Sequence, residues 1–248
     1  MARARASGPE APIGILCALP EEQALLVAAM GDPPPAPGTG LEARVGQLDG
    51  RPVVVAGAGV GKVRAASTAT LLIERFGCRA LVLTGVAGGL SGGLDIGDVV
   101  VASRLIDVDY GRLTDAGRLV YQPGTLPLPG VPPDPGYGLA ADLEERVRAR
   151  LSGAQVDVTF GTVLCGDAFL ASARIRDELT ARWSAVAIEM EGSAVCGVAE
   201  RFGVPWLIVR ALSDRAGEDS VSDFGAFLSG AAATSARLVR ELLPVFDD

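Results

Sequence analysis

The stretch from residue 185 to 214 constrains the fold more than any other part of the chain. It contains two short apolar runs, Ala185–Ile188 and Pro205–Leu212, and between them a segment of helical character that ends at about Phe202. A strand, a helix and a second strand in this order predict parallel strands joined by a helix. In such sheets, ligands bind just outside the carboxyl ends of the strands.

The same alternation of apolar runs and helical segments covers most of the chain. Further strands are predicted at Ile13–Leu19, Leu41–Leu48, Pro52–Ala56, Ala80–Val86, Asp98–Ile106 and Val156–Cys165. Asp49-Gly50, between the second and third of these, predicts a type I′ hairpin turn. Further helices are predicted from Pro20 and at Lys62–Phe76, Ala140–Leu151, Ala173–Trp183 and Phe224–Leu243. This order predicts a single-domain α/β fold, with a mostly parallel or mixed twisted sheet flanked by helices on both faces. Residues 107–138 are rich in glycine and proline, and we expect a long loop there.

Composition limits the classes of function. The 248 residues fit one domain, residues 12–248, preceded by a disordered leader, residues 1–11, that has no apolar core of a secretory signal. A formal charge of −8 argues against a nucleic-acid partner. No apolar run approaches the roughly 18 residues of a membrane helix. The four cysteines lack metal-ligand spacing and histidine is absent, so we expect no metal, buried thiols and a cytoplasmic location.

Acidic residues follow several of the predicted strands. Glu21 and Glu22 come after the first strand, whereas Glu191 and Asp214 follow the two strands of the 185–214 unit. We expect these carboxylates at one edge of the sheet. In a chain without histidine, proton transfer falls to carboxylates, Lys, Tyr, Cys or positioned water. The alternative for the two glutamates is that acids in a first helical turn complement the helix dipole.

Two glycine-rich turns and one aromatic residue leave alternatives open. The segment 57–62 departs in spacing from both the Walker loop and the dinucleotide fingerprint, so it is a tight turn, with or without a role in lining a pocket. The glycines of segment 84–90 form a plain turn or allow a ligand or backbone to approach closely. Phe169 stacks on a flat ring or fills the core.

Six segments together resemble the 5′-methylthioadenosine/S-adenosylhomocysteine nucleosidases, within the wider purine nucleoside phosphorylase superfamily. They are IGILCALPEE, GVGK, LTGVAGGL through GDVVVAS, LCGDAFL, AIEMEG and VPWLIVRALSD, in order and at family-like spacing. The match is nearly chain-long. It implies a nucleoside phosphorylase-like fold, hydrolysis of the N-glycosidic bond of 5′-modified adenosines without a cofactor, and a homodimer.

The resemblance implies a role for each polar residue of the site. Asp214 matches the general acid that protonates N7 of the purine, and Ser213 would hold its carboxylate. Glu22 matches the acid that positions and deprotonates the attacking water, and Arg210 matches the arginine near that water. Glu191 matches the carboxylate that binds the ribose hydroxyls. Such hydrolysis needs an acid at the leaving base, a polarised water opposite it and a tightly held sugar.

The resemblance also implies the contacts to the base, the sugar and the 5′ substituent. Met190 would pack on the sugar, and Phe169 would stack on adenine. The backbone of Leu170 would read the edge of the base. Phe224 and Phe227 would cover the 5′ side.

This chain departs from the family pattern in two places. Val86 stands where the family usually has a serine, and residues 106–109 read Ile-Asp-Val-Asp where the family has His-Asp-x-Asp. The loop that follows is longer and rich in proline. Because this region of the family contributes to the dimer and to the partner's 5′ pocket, the departures bear on which 5′ substituent is accepted.

Three other functions remain open at this point. A phosphorolytic enzyme of the superfamily would need phosphate ligands where this chain has Glu21 and Glu22. A hydrolase of a related purine nucleoside, such as a menaquinone-pathway intermediate, is disfavoured by Asp214, where that group often carries asparagine. A non-catalytic adenosine-binding module is disfavoured by the joint presence of Glu22, Glu191 and Asp214.

Overall fold

A computed structural model describes residues 10–37, 40–131, 135–153 and 157–247, and so leaves most of the expected leader outside the described residues. The strands are β1 (Ile13–Cys17), β2 (Glu42–Leu48), β3 (Arg51–Gly57), β4 (Ala80–Gly89), β5 (Val99–Asp107), β6 (Gly111–Thr114), β7 (Gly117–Val120), β8 (Tyr137–Gly138), β9 (Val158–Cys165), β10 (Ala185–Glu189) and β11 (Trp206–Asp214). The helices are α1 (Pro20–Ala29), α2 (Lys62–Phe76), α3 (Ala141–Leu151), α4 (Ala173–Trp183), α5 (Gly192–Phe202) and α6 (Ser220–Leu242), and a short 3-10 helix follows at Leu243–Phe246. None of the helices in the described ranges has the length and apolar character that a membrane crossing requires.

One mixed sheet of nine strands organises the fold. Its order is β10-β9-β5-β11-β4-β1-β3-β2, and β8 is added beside β5. Strands β3, β1, β4 and β11 are parallel neighbours, and so are β5, β9 and β10. The two sets run in opposite directions, because β5 is antiparallel to β11. Helices α1 and α6 pack together against the sheet, as do α2 and α5. The predicted α/β fold with a mixed sheet is confirmed.

Strand β4 joins the two sets a second time. Gly88 pairs with Asp214 of β11 on one side and with Ile188 of β10 on the other, and Gly89 pairs with Ala187. Strands β4, β11, β5, β9 and β10 therefore close into a ring. The prediction that the two strands of the 185–214 unit are parallel is therefore wrong, because β11 runs parallel to β4 and β10 runs antiparallel to it. Glu22 and Asp214 do follow or end parallel strands, β1 and β11, whereas Glu191 follows β10, whose carboxyl end overlaps that of β4.

Several local predictions are confirmed by the structure. Asp49 and Gly50 both have positive φ, 51° and 81°, which the type I′ turn between β2 and β3 requires. Helix α1 begins at Pro20, and α2 has the predicted bounds. All four cysteines are free and buried, and burial raises the pKa of each thiol, so that the thiols stay protonated at neutral pH.

The expectation of a loop over residues 107–138 is wrong in part. Strands β6 and β7 form a two-stranded hairpin there, and β8 pairs with Arg104 and Leu105 of β5. Strands of two to four residues carry too little alternation to be recognised in a sequence. Residues 132–134 lie outside the described part of this segment.

Candidate active site

A cavity of about 330 Å³ opens where the carboxyl ends of β4, β10 and β11 meet. Nine of the ten residues expected in the site line it: Glu22, Phe169, Leu170, Met190, Glu191, Arg210, Ser213, Asp214 and Phe224. Phe227, the tenth, is not among the lining residues and is 47% exposed. It lies three residues after Phe224 on α6. From the sequence alone, it could not be decided which of two phenylalanines at this spacing lines the cavity and which lies at the surface.

Glu22 is held by backbone amides at the start of α1. Its Oε2 accepts hydrogen bonds from the amides of Ala18 at 2.8 Å and Leu19 at 3.0 Å, and its Oε1 accepts one from Val86 at 3.2 Å. Burial raises the pKa of Glu22, although Arg210 and the three amides favour the charged form. An ionised carboxylate has about four acceptor positions, so three amides leave one for a further donor such as water.

Asp214 is the last residue of β11, and its carboxylate is held at both oxygens. Its Oδ1 accepts from the amide of Ala216 at 2.8 Å, and its Oδ2 accepts from the hydroxyl of Ser213 at 3.0 Å. Burial raises the pKa of Asp214, whereas these two bonds oppose the rise. A raised pKa favours a carboxyl group that carries a proton to donate.

Arg210 and two glutamates form a buried ionic group at the floor of the cavity. Nη2 of Arg210 contacts Oε2 of Glu189 and lies 3.0 Å from Oε2 of Glu191. The other oxygen of Glu191 accepts from the amide of Gly61 at 2.8 Å. Burial raises the pKa of Glu191, Arg210 lowers it and Glu189 raises it further. The expected position of Arg210 in the site is found, but its hydrogen bonds go to these glutamates and to the carbonyl of Thr84 rather than to Glu22.

Glu189 is the residue of this group that was not predicted from the sequence. Its carboxylate accepts from the amides of Glu191 at 3.1 Å and Gly192 at 2.8 Å, in addition to Arg210. The Glu-Met-Glu sequence at the end of β10 was the signal that could have identified Glu189, because two acidic residues so close together can bind the same cation. Glu189 thereby links the start of α5 to Arg210 of β11.

The glycines of β4 allow the acidic side chains to approach the strand. Gly85 has a φ of +146°, and a Cβ there would lie 2.5 Å from Oε1 of Glu22 and 2.6 Å from Nη1 of Arg210. A Cβ at Gly88 would lie 3.0 Å from Oδ1 of Asp214. The segment is strand rather than a plain turn, and its glycines do permit a close approach. The approaching groups are side chains of the site, whereas the expectation was a ligand or backbone. Val86, the residue that replaces the family's serine, also lines the cavity.

Apolar side chains enclose the rest of the cavity. The rings of Phe169 and Phe224 meet edge to face, with centroids 5.8 Å apart. Phe169 is 46% exposed, so it does not fill the core. Val60, from the turn before α2, lines the same cavity, which means that this turn contributes to the pocket as well as joining β3 to α2.

The chemistry available here is proton transfer and charge stabilisation by carboxylates. Arg210 is the one lysine or arginine among the described residues that line the cavity, and its partners are acidic. Within the described part of the chain, no group of three or more Cys, Asp or Glu side chains forms a candidate metal site.

Comparison with known proteins gives a consistent family. Residues 12–244 match the family model of the phosphorylase superfamily. The chain is 42% identical over 247 residues to the 5′-methylthioadenosine/S-adenosylhomocysteine nucleosidase of Mycobacterium bovis, with 94% of this chain and 97% of the relative covered. The solved nucleosidase of that name from Helicobacter pylori has a TM-score of 0.85 at 28% identity, with 96% of this chain and 99% of that one covered. The futalosine hydrolase of H. pylori has a TM-score of 0.84 at 29% identity, with 94% and 97% covered.

Proposed function

The chain belongs to the phosphorylase superfamily, and on that basis we propose that it hydrolyses the N-glycosidic bond of 5′-modified adenosines. Its substrates would be 5′-methylthioadenosine, S-adenosylhomocysteine or 5′-deoxyadenosine, and the products adenine and the 5-substituted ribose. The names of the similar proteins support this reaction class. The observation that carries the mechanism is the presence in one cavity of two separately held carboxyl groups, Glu22 and Asp214, both with raised pKa.

In this mechanism, Asp214 donates its proton to N7 of the purine, which makes adenine a better leaving group. Ser213 orients the carboxyl group through its hydroxyl. Glu22 uses the acceptor position that its three amide bonds leave free to hold and deprotonate the attacking water. Developing positive charge on the sugar is stabilised by the carboxylates of the cavity floor.

Sugar and base binding use the remaining lining residues. Glu191 binds the ribose hydroxyls, and Met190 packs against the sugar. Phe169 stacks on adenine and Leu170 reads its edge through the backbone. Phe224, whose ring meets that of Phe169, covers the 5′ side. Phe227, which is about half exposed, is proposed to contribute at the mouth of the cavity.

The charge of the cavity favours water over phosphate as the nucleophile. Four carboxylates and one arginine line it, and the arginine already pairs with Glu189 and Glu191. A phosphate dianion close to Glu22 would meet a repulsion of about 1–4 kcal/mol per charge pair at ~4 Å. Hydrolysis therefore fits this cavity better than phosphorolysis.

Product analysis tests the proposal directly. Purified protein is incubated with 5′-methylthioadenosine in phosphate-free buffer and in buffer with inorganic phosphate, and adenine and the sugar product are quantified. We expect equal rates in both buffers and a free 5-substituted ribose. Formation of a ribose 1-phosphate at a rate that saturates with phosphate would support the phosphorolytic alternative, and binding without turnover would support the adenosine-binding module.

A second candidate substrate is futalosine, because a futalosine hydrolase is among the solved structures similar to this chain. The substrate panel therefore contains futalosine together with the three 5′-modified adenosines. The ranking of kcat/KM over this panel shows which nucleoside is the preferred substrate. A kcat/KM for futalosine above those of all three adenosines would assign the chain to the second candidate.

Four further statements belong to the same proposal. We propose a homodimer, which is supported by exposed apolar side chains in the segment 107–131, namely Leu113, Leu126 and Leu128; light scattering that gives the 25.4 kDa monomer would contradict it. Free buried cysteines support a cytoplasmic protein, and the substrates support a role in methionine salvage.

We also propose that residues 12–248 form the domain and that residues 1–11 are a leader. Removal of residues 1–11 without loss of activity would support this division.

A further inference from the structure

A charged cluster beside the cavity has no part in the reaction proposed above. Lys62, the first residue of α2, places its ammonium nitrogen 2.9 and 3.1 Å from the two carboxylate oxygens of Asp107. The same nitrogen lies 3.0 Å from Oδ2 of Asp109 and 3.6 Å from Oδ2 of Asp167. Lys62 is also the only lysine of the chain, whose 22 basic residues are otherwise all arginine.

The geometry of the cluster suits an ammonium group better than a guanidinium group. Its carboxylates come from the end of β5, from the loop that follows it and from the loop after β9, and so approach the cation from different directions. An ammonium group is compact and carries three donors that rotate to suit, whereas a guanidinium group is a planar fork. This difference gives a physical reason for one lysine in a chain that uses arginine everywhere else.

Two hydrogen-bonded routes connect Lys62 to Glu191 in the cavity. The amide of Gly61, the residue before Lys62, donates to Oε1 of Glu191 at 2.8 Å. Asp107, which binds the ammonium group, accepts at Oδ2 from the hydroxyl of Ser193 at 3.0 Å. Ser193 lies in the first turn of α5, two residues after Glu191.

We propose that Lys62 is a positioning residue that holds Glu191 in the orientation needed to bind the substrate ribose. The inference rests on the proposed function, in which Glu191 binds the sugar hydroxyls. The lysine fixes the turn before α2, so that the Gly61 amide stays on one oxygen of Glu191 while Arg210 stays on the other. It also fixes Asp107, which anchors the start of α5 through Ser193.

The charge state of the cluster agrees with a positioning role. Although burial disfavours the charged form of Lys62, its hydrogen bonds to Asp107 and Asp109 raise its pKa above the ordinary value. The side chain therefore remains an ammonium ion throughout the neutral range and does not exchange protons with substrate. Removal of the cation would leave the carboxylates of Asp107, Asp109 and Asp167 facing each other, and their repulsion would displace the turn that carries Gly61.

The first experiment replaces the ammonium group and keeps the length of the side chain. Lys62→Met is compared with Arg64→Met, which removes an exposed cation from the same turn of α2. We expect kcat/KM for 5′-methylthioadenosine to fall roughly 10- to 100-fold in Lys62→Met, the scale of a misplaced binding group, and to stay unchanged in Arg64→Met. Equal kcat/KM in Lys62→Met and wild type would overturn the inference.

A double-mutant cycle separates positioning from a general loss of structure. Lys62→Met is combined with Glu191→Gln, and kcat/KM is measured for the wild type, both single variants and the double variant. If the lysine acts through Glu191, the double variant loses no more activity than Glu191→Gln alone, because nothing remains to be positioned. Multiplicative losses in the double variant would show that Lys62 acts elsewhere and would reject the inference.

A second variant keeps the test decisive where Lys62→Met does not fold. Lys62→Arg retains the charge, and we expect a smaller but measurable loss of kcat/KM that disappears in the Glu191→Gln background. Wild-type kcat/KM in Lys62→Arg would contradict the requirement for an ammonium group. If the wild type is active and the losses in the double variant are multiplicative, only the positioning role is rejected. If the wild type releases no adenine, the proposed function and the inference are rejected together.

Discussion

Two ionic clusters of this molecule have similar geometry and opposite surroundings. The site cluster, Glu22, Glu189, Glu191, Arg210 and Asp214, is buried at the floor and walls of the cavity. The surface cluster, Asp49, Arg51, Arg79, Arg240 and Asp247, joins the β2–β3 turn to the C-terminal end of the described chain. Nitrogen–oxygen distances are 3.0 Å for Arg210 with Glu191 and 2.6 Å for Arg240 with Asp49. Distance alone therefore does not distinguish the two clusters.

Exposure decides what each cluster contributes. The side chains of Arg240 and Asp49 are 42% and 40% exposed, whereas those of Arg210 and Glu189 are each 1% exposed. Exposed pairs are screened by water and stabilise a protein by about 0–1 kcal/mol. Buried pairs lose their hydration, and removal of one partner leaves an uncompensated charge in the interior. Burial of the site cluster therefore costs hydration free energy, and removal of one partner costs more. Such a cluster is understandable in a site that has to present charges to a substrate.

The largest effect is expected when the cation of the site cluster is removed. Arg210→Met leaves Glu189 and Glu191 without their common partner, so we expect the free energy of unfolding to fall by about 3–5 kcal/mol and turnover to be lost. Urea unfolding and adenine release measure the two effects. A decrease below about 1 kcal/mol would mean that the buried cluster behaves like a surface cluster, contrary to the comparison.

The next effect concerns the predicted general acid. Asp214→Asn keeps an oxygen that accepts from the Ala216 amide and removes the proton that would be donated to the base, so turnover should fall at least about 100-fold in a folded protein. The measurement is kcat for 5′-methylthioadenosine, with circular dichroism as the control for folding. Turnover near that of the wild type would remove Asp214 from the mechanism.

Two substitutions within the site cluster should separate water activation from sugar binding. Glu22→Gln should lower kcat with a modest change in KM, because it affects the nucleophile. Glu191→Gln should weaken binding and turnover together, because contacts to the ribose tighten as the sugar flattens. Steady-state kinetics of the two variants checks this split, and an undiminished kcat in Glu22→Gln would require another base.

The dependence of stability on pH should have opposite signs in the two clusters. The folded state raises the pKa of Asp214 above 3.8, so its stabilising contribution is complete below that value and is lost as the pH rises through the folded pKa. Arg240 lowers the pKa of Asp49, so the contribution of Asp49 is present above 3.8 and is lost as the pH falls through the folded pKa.

Measurements of unfolding between pH 4 and pH 8 can detect this contrast. Asp214→Asn should be more stable than wild type at pH 8, and the difference should shrink towards pH 4. Asp49→Asn should be slightly less stable than wild type at pH 8, and that difference should persist to pH 4, because the contribution of Asp49 is lost only below 3.8. The same direction of change at pH 8 in both variants would contradict the contrast.

The smallest effect is expected at the surface cluster itself. Arg240→Met removes a charge that water already screens, so the free energy of unfolding should change by less than about 1 kcal/mol and kcat/KM should not change. Denaturant unfolding of both variants makes Arg240→Met the matched control for Arg210→Met. A loss as large as that of Arg210→Met would show that burial is not what separates the clusters.

Much of this protein follows from local patterns in its sequence. The bounds of α2, the turn at Asp49 and Gly50 and the start of α1 at Pro20 depend on residues close together in the chain, and all were predicted. Of the nine expected site residues that line the cavity, Glu22, Phe169, Glu191 and Asp214 follow or end a strand, and strand ends are recognisable in a sequence. The other five were expected from the resemblance to a known family.

What only the tertiary structure decided depends on groups that are distant in the chain. The antiparallel contact of β10 with β4 brings Glu189 and Glu191 towards Asp214, and no local pattern specifies that closure. Phe224 lines the cavity, whereas Phe227, three residues later on the same helix, faces solvent. The bonds of Lys62 to Asp107, Asp109 and Asp167 span 45 to 105 residues of sequence. Local preferences determine which elements form, whereas the pKa of a carboxylate or the partner of a cation depends on burial and on neighbours that only the folded chain supplies.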